Sequence, residues 1–256
     1  MALKHSCTAL ALLFSVDALA ATDPPRREIR FAIAAQFPPF QSRNLQGQLE
    51  GLHIELGNAL CQQLNVRCTW VDQVLVENFP ALEARQFDAI MGIAPTSQRR
   101  RWVSFTQNLY PFTTRLVARK NSGLVPTTRS LKGKRVGVLL GSNREAFARS
   151  KWAPEGVIIK SFWLNAELVR SLIAGDIDAT LQGSVEIRRA LLDTEQGQDF
   201  DFLGPAVSAE LLGDGVAIAL RKTDTTLRED LNRALEELMQ NGEYRRILVP
   251  YHLEAP

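Results

Sequence analysis

Three consecutive arginines, Arg99, Arg100 and Arg101, are the side chains in this sequence best suited to holding an anion. The planar guanidinium group pairs with a carboxylate through two parallel hydrogen bonds, so each of them could bind an acidic solute. A short run of like charges is more often the solvated face of a helix. The run alone therefore favours a surface helix and leaves a carboxylate site open as the second interpretation.

A second candidate for anion binding is the segment Gly141-Ser142-Asn143, which follows an apolar run at 134–140 and opens a predicted helix at 142–150. Free main-chain N–H groups and the positive end of the helix dipole would meet there. Ser142 also suits an N-cap, with Glu145 completing a capping box. The two roles are compatible, because a capped helix N-terminus at the end of a strand is also an anion site.

The residue types that support catalysis are sparse in this chain. The sequence contains no recognisable Ser-His-Asp arrangement, metal-ligand cluster or phosphate-binding loop, and we predict no cofactor. His53 and His252 fall in a predicted helix and in the C-terminal tail, where we expect surface or packing roles. These observations argue against an enzyme.

The N-terminal segment has the three parts of a secretory signal peptide. Lys4 and His5 supply positive charge, residues 7–16 form a short apolar run, and Ala18-Leu19-Ala20 matches a cleavage site of small residues. The run is too short to span a bilayer, and no later segment reaches the necessary length. We predict that residues 1–20 are a cleaved signal peptide and that the mature protein is periplasmic.

The cysteines agree with export. Cleavage would remove Cys7 and leave Cys61 and Cys68, with six residues between them. An even pair at short range in an oxidising compartment predicts a disulfide. Two cysteines without a nearby histidine cannot form a zinc site, so we expect the bridge to be structural.

Charge and length limit the classes of partner. The net charge of +2 over 256 residues gives no electrostatic reason to expect nucleic acid or a membrane surface as a partner. The length suits one large domain or two modest lobes with cores of their own. We therefore predict no nucleic-acid partner.

Short β-rich runs alternate with amphipathic helical stretches, which predicts an α/β fold with a largely parallel sheet. Two such blocks flank the region near Tyr110-Pro111, and a strand at 215–220 and a helix at 226–240 follow the second block. The simplest arrangement returns this last piece to the first block, so that the chain crosses between two lobes twice. Two such connections form a hinge, and the cleft between the lobes is a natural ligand site.

Several segments together resemble the periplasmic binding proteins for polar amino acids, in particular the lysine/arginine/ornithine and histidine group. The resemblance runs in order through nearly the whole mature chain. The matching segments are GLHIELGNALCQQLNVRCTWV (51–71), FDAIMGIAPTSQRRRWVSFTQNLY (87–110), LKGKRVGVLLGSNREAF (131–147), AGDIDATLQ (174–182), GPAVSAELLGDGVAIALRK (204–222) and NGEYRRI (241–247).

The resemblance implies a two-lobed periplasmic-binding-protein type II fold with two hinge crossings and a cleft between the lobes. One lobe would comprise residues 27–111 plus 214–256, and the other residues 112–213. It implies closure of the lobes on a small solute, an amino acid or a derivative, with no chemical step. The expected partner is an inner-membrane ABC permease, and a monomer is the plainer expectation for the oligomeric state.

The resemblance also implies a set of ligand-binding residues. Arg99 matches the arginine of the family motif T-P-E-R, which reads Thr96-Ser97-Gln98-Arg99 here, and Ser142 and Asn143 would complete a carboxylate site. An apolar or aromatic wall is expected along the ligand side chain, although its members could equally belong to the core. The predicted ligand-binding residues are Phe37, Leu75, Gly92, Arg99, Leu139, Ser142, Asn143 and Gly183.

Three positions depart from the family pattern. Gly183 stands where the family places a carboxylate for the ligand ammonium, Ala94 stands at a helping serine, and Ala34 stands at the acid that grips a basic side chain. A desolvated ammonium without an acceptor costs a few kcal/mol, roughly, so a basic amino acid should bind poorly. We predict a changed ligand, such as an amino-acid derivative or a carboxylate without a free α-amine, or a receptor with weakened or lost binding. The acids that could substitute are Asp72, Glu77 and Glu186.

Two other functions stay open at this level. Periplasmic cyclohexadienyl dehydratases resemble the same fold, and such an enzyme would need a positioned acid to protonate a leaving hydroxyl. A binding protein of this type could also pass its signal to a sensory membrane partner instead of a permease. Prephenate turnover would establish the enzyme, and the neighbouring genes would separate import from sensing.

Overall fold

The computed structural model describes residues 27–213, 215–251 and 253. The predicted signal peptide, residues 1–20, and the tail histidine His252 lie outside these described residues. Among the helices that are described, none is both long and apolar enough to cross a bilayer.

Most of the strands coincide with the apolar runs of the sequence. The central strands β5 and β13 are buried on both faces, which explains why they read as continuous apolar runs and not as alternating patterns. The strands are β1 (Glu28–Ile33), β2 (Ser42–Arg43), β3 (Leu49–Glu50), β4 (Arg67–Asp72), β5 (Ala89–Ile93), β6 (Val103–Phe105), β7 (Tyr110–Pro111), β8 (Thr114–Arg119), β9 (Arg135–Leu139), β10 (Ile158–Phe162), β11 (Ala179–Gly183), β12 (Phe200–Phe202) and β13 (Gly215–Arg221).

The helices lie between the strands, and one of them is shorter than its sequence pattern predicts. The helix predicted at 142–150 is regular only to Phe147, and a wider π-type turn, Ala148–Trp152, continues it. The α-helices are α1 (Leu52–Gln63), α2 (Asn78–Glu83), α3 (Ser97–Arg100), α4 (Thr128–Leu131), α5 (Asn143–Phe147), α6 (Asn165–Ala174), α7 (Ser184–Ile187), α8 (Thr225–Gln240) and α9 (Glu243–Leu248).

Two mixed sheets form the frames of two lobes. The first has the order β4-β1-β5-β13-β6, with β7 also paired to β13, and the second has the order β10-β9-β11-β8-β12. In the first sheet β1 is parallel to β4 and β5, whereas β13 is antiparallel to β5 and β6. In the second sheet β9 is parallel to β10 and β11, whereas β8 is antiparallel to β11 and β12.

The prediction of largely parallel sheets is therefore wrong for β8 and β13. Each of these two strands enters its sheet directly after the chain has crossed from the other lobe. The direction of such a strand is set by the side from which the chain arrives and not by a connection to its neighbour in the sheet. Both strands therefore pair antiparallel with the strands beside them.

The double crossing predicted from the sequence is confirmed. The chain leaves the first sheet after β7 and returns to it as β13, and α8 then packs against α1. Leu227, Leu231 and Leu235 of α8 lie in the same apolar core as Ile29 and Phe31 of β1. The residue limits given above for the two lobes stay a prediction.

The predicted disulfide is present in the first lobe. Cys61 near the end of α1 is bonded to Cys68 in β4, and their Cα atoms are 5.8 Å apart. The bridge joins the helix to the strand that follows it across the short turn at residues 64–66. It therefore has the structural role expected of it.

Candidate functional site

A cavity of about 270 Å³ lies between the two lobes. Its walls combine β5 and the loop after it in the first lobe with the ends of β9 and β11 in the second, and the segment after β7 closes one side. The eight predicted ligand-binding residues all line this one cavity: Phe37, Leu75, Gly92, Arg99, Leu139, Ser142, Asn143 and Gly183. The structure thus brings together residues that lie up to 146 positions apart in the sequence.

Arg99 is held at the boundary between the lobes. It lies in the short helix α3, which Thr96 caps by accepting a hydrogen bond from the Arg99 N–H group. Its guanidinium donates to the carbonyl of Ala94 at 3.2 Å and, across the cleft, to the carbonyl of Gly141 at 3.1 Å. Burial, and then the positive charge of Arg144, lowers the pKa of Arg99 to about 10. The group is therefore still cationic at neutral pH.

Its neighbour Arg100 behaves as the surface interpretation of the arginine run predicts. Arg100 is exposed, its guanidinium lies 5.3 Å from the ring centre of Phe105, and it donates to the carbonyl of Pro95. It is not among the residues that line the cavity. Of the two neighbouring arginines, only Arg99 faces the cavity.

The segment Gly141-Ser142-Asn143 forms the opposing wall, with a different pattern of bonds from the predicted capping box. Ser142 caps α5 by accepting the N–H of Glu145 at 3.1 Å. The Glu145 carboxylate accepts the N–H of Gly141 at 2.7 Å, because the N–H of Ser142 already donates to the carbonyl of Leu139. Two of the three N–H groups expected to be free for an anion are therefore occupied.

Asn143 connects this wall to the second hinge crossing. Its side-chain amide donates to the carbonyl of Leu212, which lies in the stretch that leads from β12 back to β13. Asn143 is itself buried. A solute that touches Asn143 would therefore contact a residue bonded to the hinge.

An apolar wall continues from one lobe to the other. Ala34 and Phe37 of the first lobe pack with Leu139 of the second, and Leu75 packs beside them. Phe37 and Leu139 are buried, as expected of side chains against which the apolar part of a solute could lie. Ala34, the position where the family carries an acid, contributes only a methyl group here.

At Gly183, where the family pattern has a carboxylate, the carboxylate of Glu186 lies beside the glycine. A Cβ atom on Gly183 would overlap the carboxylate of Glu186, which occupies the space beside the glycine. Glu186 forms an ion pair with Arg144 at 3.1 Å, and the two side chains are only 17% and 12% exposed. Both residues line the cavity.

Of the three acids left open as substitutes, Glu186 is thus placed at the cavity. Asp72 accepts the N–H of Ala35 and pairs with Arg43 on the outside of the first lobe. Neither Asp72 nor Glu77 is among the residues that line the cavity. Arg144 was not predicted, because the sequence shows it only as a residue in the first turn of an ordinary helix.

The cavity wall also contains a buried polar cluster that was not predicted from the sequence. His53 is 3% exposed, and its two ring nitrogens bond to the side chains of Gln41, at 2.8 Å, and of Tyr110. The ring of Phe40 stacks on the rings of His53 and Tyr110. Burial lowers the pKa of His53 to about 3, so the imidazole is neutral at physiological pH. His53 is thus a wall residue of the cavity and not a surface residue.

One signal could have placed His53 correctly. Residues 53, 57 and 60 follow the spacing of one helical face, and all three are buried in α1. Gly92 supplies the room for the imidazole. It has a φ of +80°, and a Cβ atom at this position would overlap the ring of His53. A glycine is therefore required there both by backbone conformation and by packing.

The chain matches known proteins over nearly its whole length. It matches the family described as bacterial extracellular solute-binding proteins, family 3, over residues 29–254. It is 41% identical to the histidine-binding periplasmic protein of Salmonella typhimurium, over 94% of each chain. It is 38% identical to the lysine/arginine/ornithine-binding periplasmic protein of Escherichia coli, over 97% of each chain.

A solved structure confirms the fold. The structure of an ancestral arginine-binding protein bound to arginine superposes with a TM-score of 0.82 at 27% identity, covering 90% of this chain and all of the other. The names of these relatives describe binding proteins, which agrees with a binding role and not with the dehydratase alternative. With its two lobes, its cavity between them and this family match, the chain belongs to the family 3 bacterial extracellular solute-binding proteins.

Proposed function

We propose that this protein is the periplasmic solute-binding component of an ABC importer, and that it holds an amino acid or an amino-acid-like carboxylate between its lobes. The observation that carries the proposal is the convergence of all eight predicted ligand-binding residues on one cavity between the lobes. A partly buried guanidinium that lines a cavity is a strong partner for a carboxylate, and Arg99 provides it.

Closure of the lobes follows from the same geometry. A solute whose carboxylate contacts Arg99 in one lobe and Ser142 in the other interacts with both walls only when the lobes are together. Such a solute binds the closed state more tightly and shifts the population toward it. The hydrogen bond of Asn143 to Leu212 would connect this contact with the second hinge crossing.

The remaining parts of the proposal concern location and partner. The N-terminal signal peptide would bring the chain to the periplasm, where the named relatives are located. An inner-membrane ABC permease would recognise the closed form and receive the solute. We expect the protein to act as a monomer with no cofactor.

A thermal-shift screen with matched arginine variants tests solute binding. The panel comprises acidic, neutral and basic amino acids, their N-substituted derivatives and plain carboxylates. At about one hundred times its dissociation constant, a solute adds about 2.7 kcal/mol to the stability of the wild type, a rise of at least about 5 °C in the midpoint. Arg99→Gln should lose this rise, whereas Arg100→Gln should retain it because Arg100 lies outside the cavity.

Uptake by the native host cell tests the importer role. Deleting the gene for this protein should abolish high-affinity uptake of the solute identified by the screen. Restoring the wild-type gene should recover it. Restoring Arg99→Gln should not. Normal uptake in the deletion strain would contradict the importer role even if the purified protein binds the solute.

A further inference from the structure

The charged side chains on the cavity wall give the cavity a net positive charge. Among the described residues that line the cavity, those charged at neutral pH are Arg99, Arg144 and Glu186, which sum to two positive charges and one negative. His53 is neutral because its pKa is about 3. The cavity therefore has a net charge of +1 before a solute enters.

The ion pair of Arg144 with Glu186 does not saturate the arginine. Nη2 of Arg144 donates a hydrogen bond to Oε2 of Glu186. The guanidinium also lies 5.5 Å from the ring centre of Phe112. Nε of Arg144 is buried and has no acceptor among the described residues. A buried donor without a partner is costly, so this guanidinium has unused capacity to interact with an anionic group.

Arg99 and Arg144 are close enough to act on each other. The positive charge of Arg144 contributes, after burial, to the lowered pKa of Arg99. Two like charges that face one cavity repel each other, and the repulsion is relieved when anionic groups enter. A cationic side chain in the same space would add to the repulsion between the two arginines.

Building on the solute-binding function above, we propose that this cavity selects a dicarboxylate solute of net negative charge, with or without an α-ammonium group. One carboxylate pairs with Arg99 and the other with Arg144, which makes Arg144 the residue that determines specificity. Where the solute carries an ammonium, Glu186 is the carboxylate in reach to accept it. The specificity would thus differ from that of the relative whose name states lysine, arginine and ornithine.

Calorimetric titration with four solutes of the same five-carbon chain tests the proposal. The solutes are L-glutamate, glutarate, L-glutamine and L-ornithine, and the intact mature protein is first dialysed from denaturant and refolded to remove any bound solute. L-Glutamate or glutarate should bind at least tenfold more tightly than L-glutamine and at least a hundredfold more tightly than L-ornithine. The preferred member of the first two shows whether the ammonium is recognised.

Matched variants show whether Arg144 sets the preference. Arg144→Gln should weaken binding of the dicarboxylate at least tenfold and reduce its advantage over L-glutamine. Arg170→Gln, an exposed arginine of α6 outside the cavity wall, should leave both unchanged. Because a general loss of structure would weaken all solutes alike, the ratio of the two affinities is the decisive quantity.

The outcomes separate this proposal from the one before it. If L-ornithine binds as tightly as L-glutamate, the dicarboxylate specificity is wrong and the solute-binding function stands. If Arg144→Gln keeps the wild-type ratio, Arg144 does not determine specificity. If none of the four solutes binds, the result contradicts the dicarboxylate specificity; if the wider thermal-shift panel also gives no rise, the solute-binding function fails with it.

Discussion

The guanidinium of Arg99 donates a hydrogen bond to the main-chain carbonyl of Gly141, 3.1 Å away, and so connects the two lobes directly. A second bond across the cleft runs from the N–H of Asn165 to the side-chain oxygen of Gln36, at 2.8 Å. The lobes are therefore joined by hydrogen bonds at two places. The arginine proposed to hold the solute is also one of the residues that hold the lobes together.

The buried imidazole of His53 predicts a pH dependence of stability. Its pKa is about 3 in the folded protein, whereas the unfolded chain should have the ordinary histidine value of 6.5. Between these values the unfolded chain binds a proton that the folded chain does not. The free energy of unfolding should therefore be fully retained above about pH 6.5 and fall by up to about 1.4 kcal/mol per pH unit below it.

Urea unfolding of the wild type and of His53→Gln between pH 7.5 and about pH 5 measures this contribution. Glutamine cannot titrate, so the variant should lose less stability than the wild type as the pH falls. Carboxylates elsewhere affect both proteins equally and cancel in the difference. Parallel curves for the two proteins would show that the folded state also accepts the proton at His53.

Gly92 and Gly47 predict different costs for the same substitution. Both have positive φ values, +80° and +77°, so alanine should cost about 1–2 kcal/mol at either position from backbone strain alone. At Gly92 the new methyl group would also overlap the ring of His53, whereas at Gly47 it would meet no atom of the described chain within 4 Å.

Gly92→Ala should therefore lose about 1–3 kcal/mol more than Gly47→Ala in the free energy of unfolding, the usual cost of overpacking. Chemical denaturation of both variants at neutral pH gives the comparison. Equal losses would mean that the imidazole moves aside without cost, and that Gly92 is required only for its backbone conformation.

Gly183 predicts an effect on binding that acts through Glu186. Its φ of −67° suits any residue, so Gly183→Ala adds no backbone strain, and its effect on the free energy of unfolding comes from disturbing the pair of Glu186 with Arg144. The new methyl group would displace the Glu186 carboxylate from Arg144. Displacement toward the cavity would place a negative charge near an anionic solute and should lower the affinity roughly tenfold, or by about 1.4 kcal/mol.

A second substitution in the same chain identifies the cause. Adding Glu186→Gln to Gly183→Ala removes the displaced charge and should restore part of the lost affinity, as measured by calorimetry. If the double variant binds no better than Gly183→Ala, the loss comes from the shape of the wall and not from the Glu186 charge. Residues 183 and 186 are in contact, so the effects of the two substitutions on affinity should not simply add, and the double variant measures their coupling.

The sequence predicted those parts of the molecule that depend on local patterns. The return of β13 and α8 to the first lobe follows from counting strands and helices, and the cavity wall at Arg99, Ser142 and Phe37 follows from the family resemblance. The antiparallel entry of β13 was not predictable from its apolar run. A buried strand has the same pattern in either direction.

The missed residues are those whose role depends on tertiary contacts. His53 becomes a buried wall residue because Gly92, 39 positions away, has no side chain. Glu186 reaches the cavity because Gly183 leaves space for its carboxylate, and Arg144 matters because it pairs with Glu186. The bond of Glu145 to Gly141 instead of Ser142 depends on the strand end at Leu139. The helical spacing of residues 53, 57 and 60 could have shown that His53 is buried, but the contacts between these residues could not be read from the sequence.

Hydrogen exchange measured by mass spectrometry, with and without saturating L-glutamate or the best solute of the thermal-shift panel, tests the central claim most directly. A solute held between the lobes should slow exchange in peptides from both walls at once, around residues 92–99 in the first lobe and 139–147 and 183–187 in the second. Arg99→Gln should abolish the protection in both. Protection confined to one lobe, or located away from these segments, would contradict binding between the lobes.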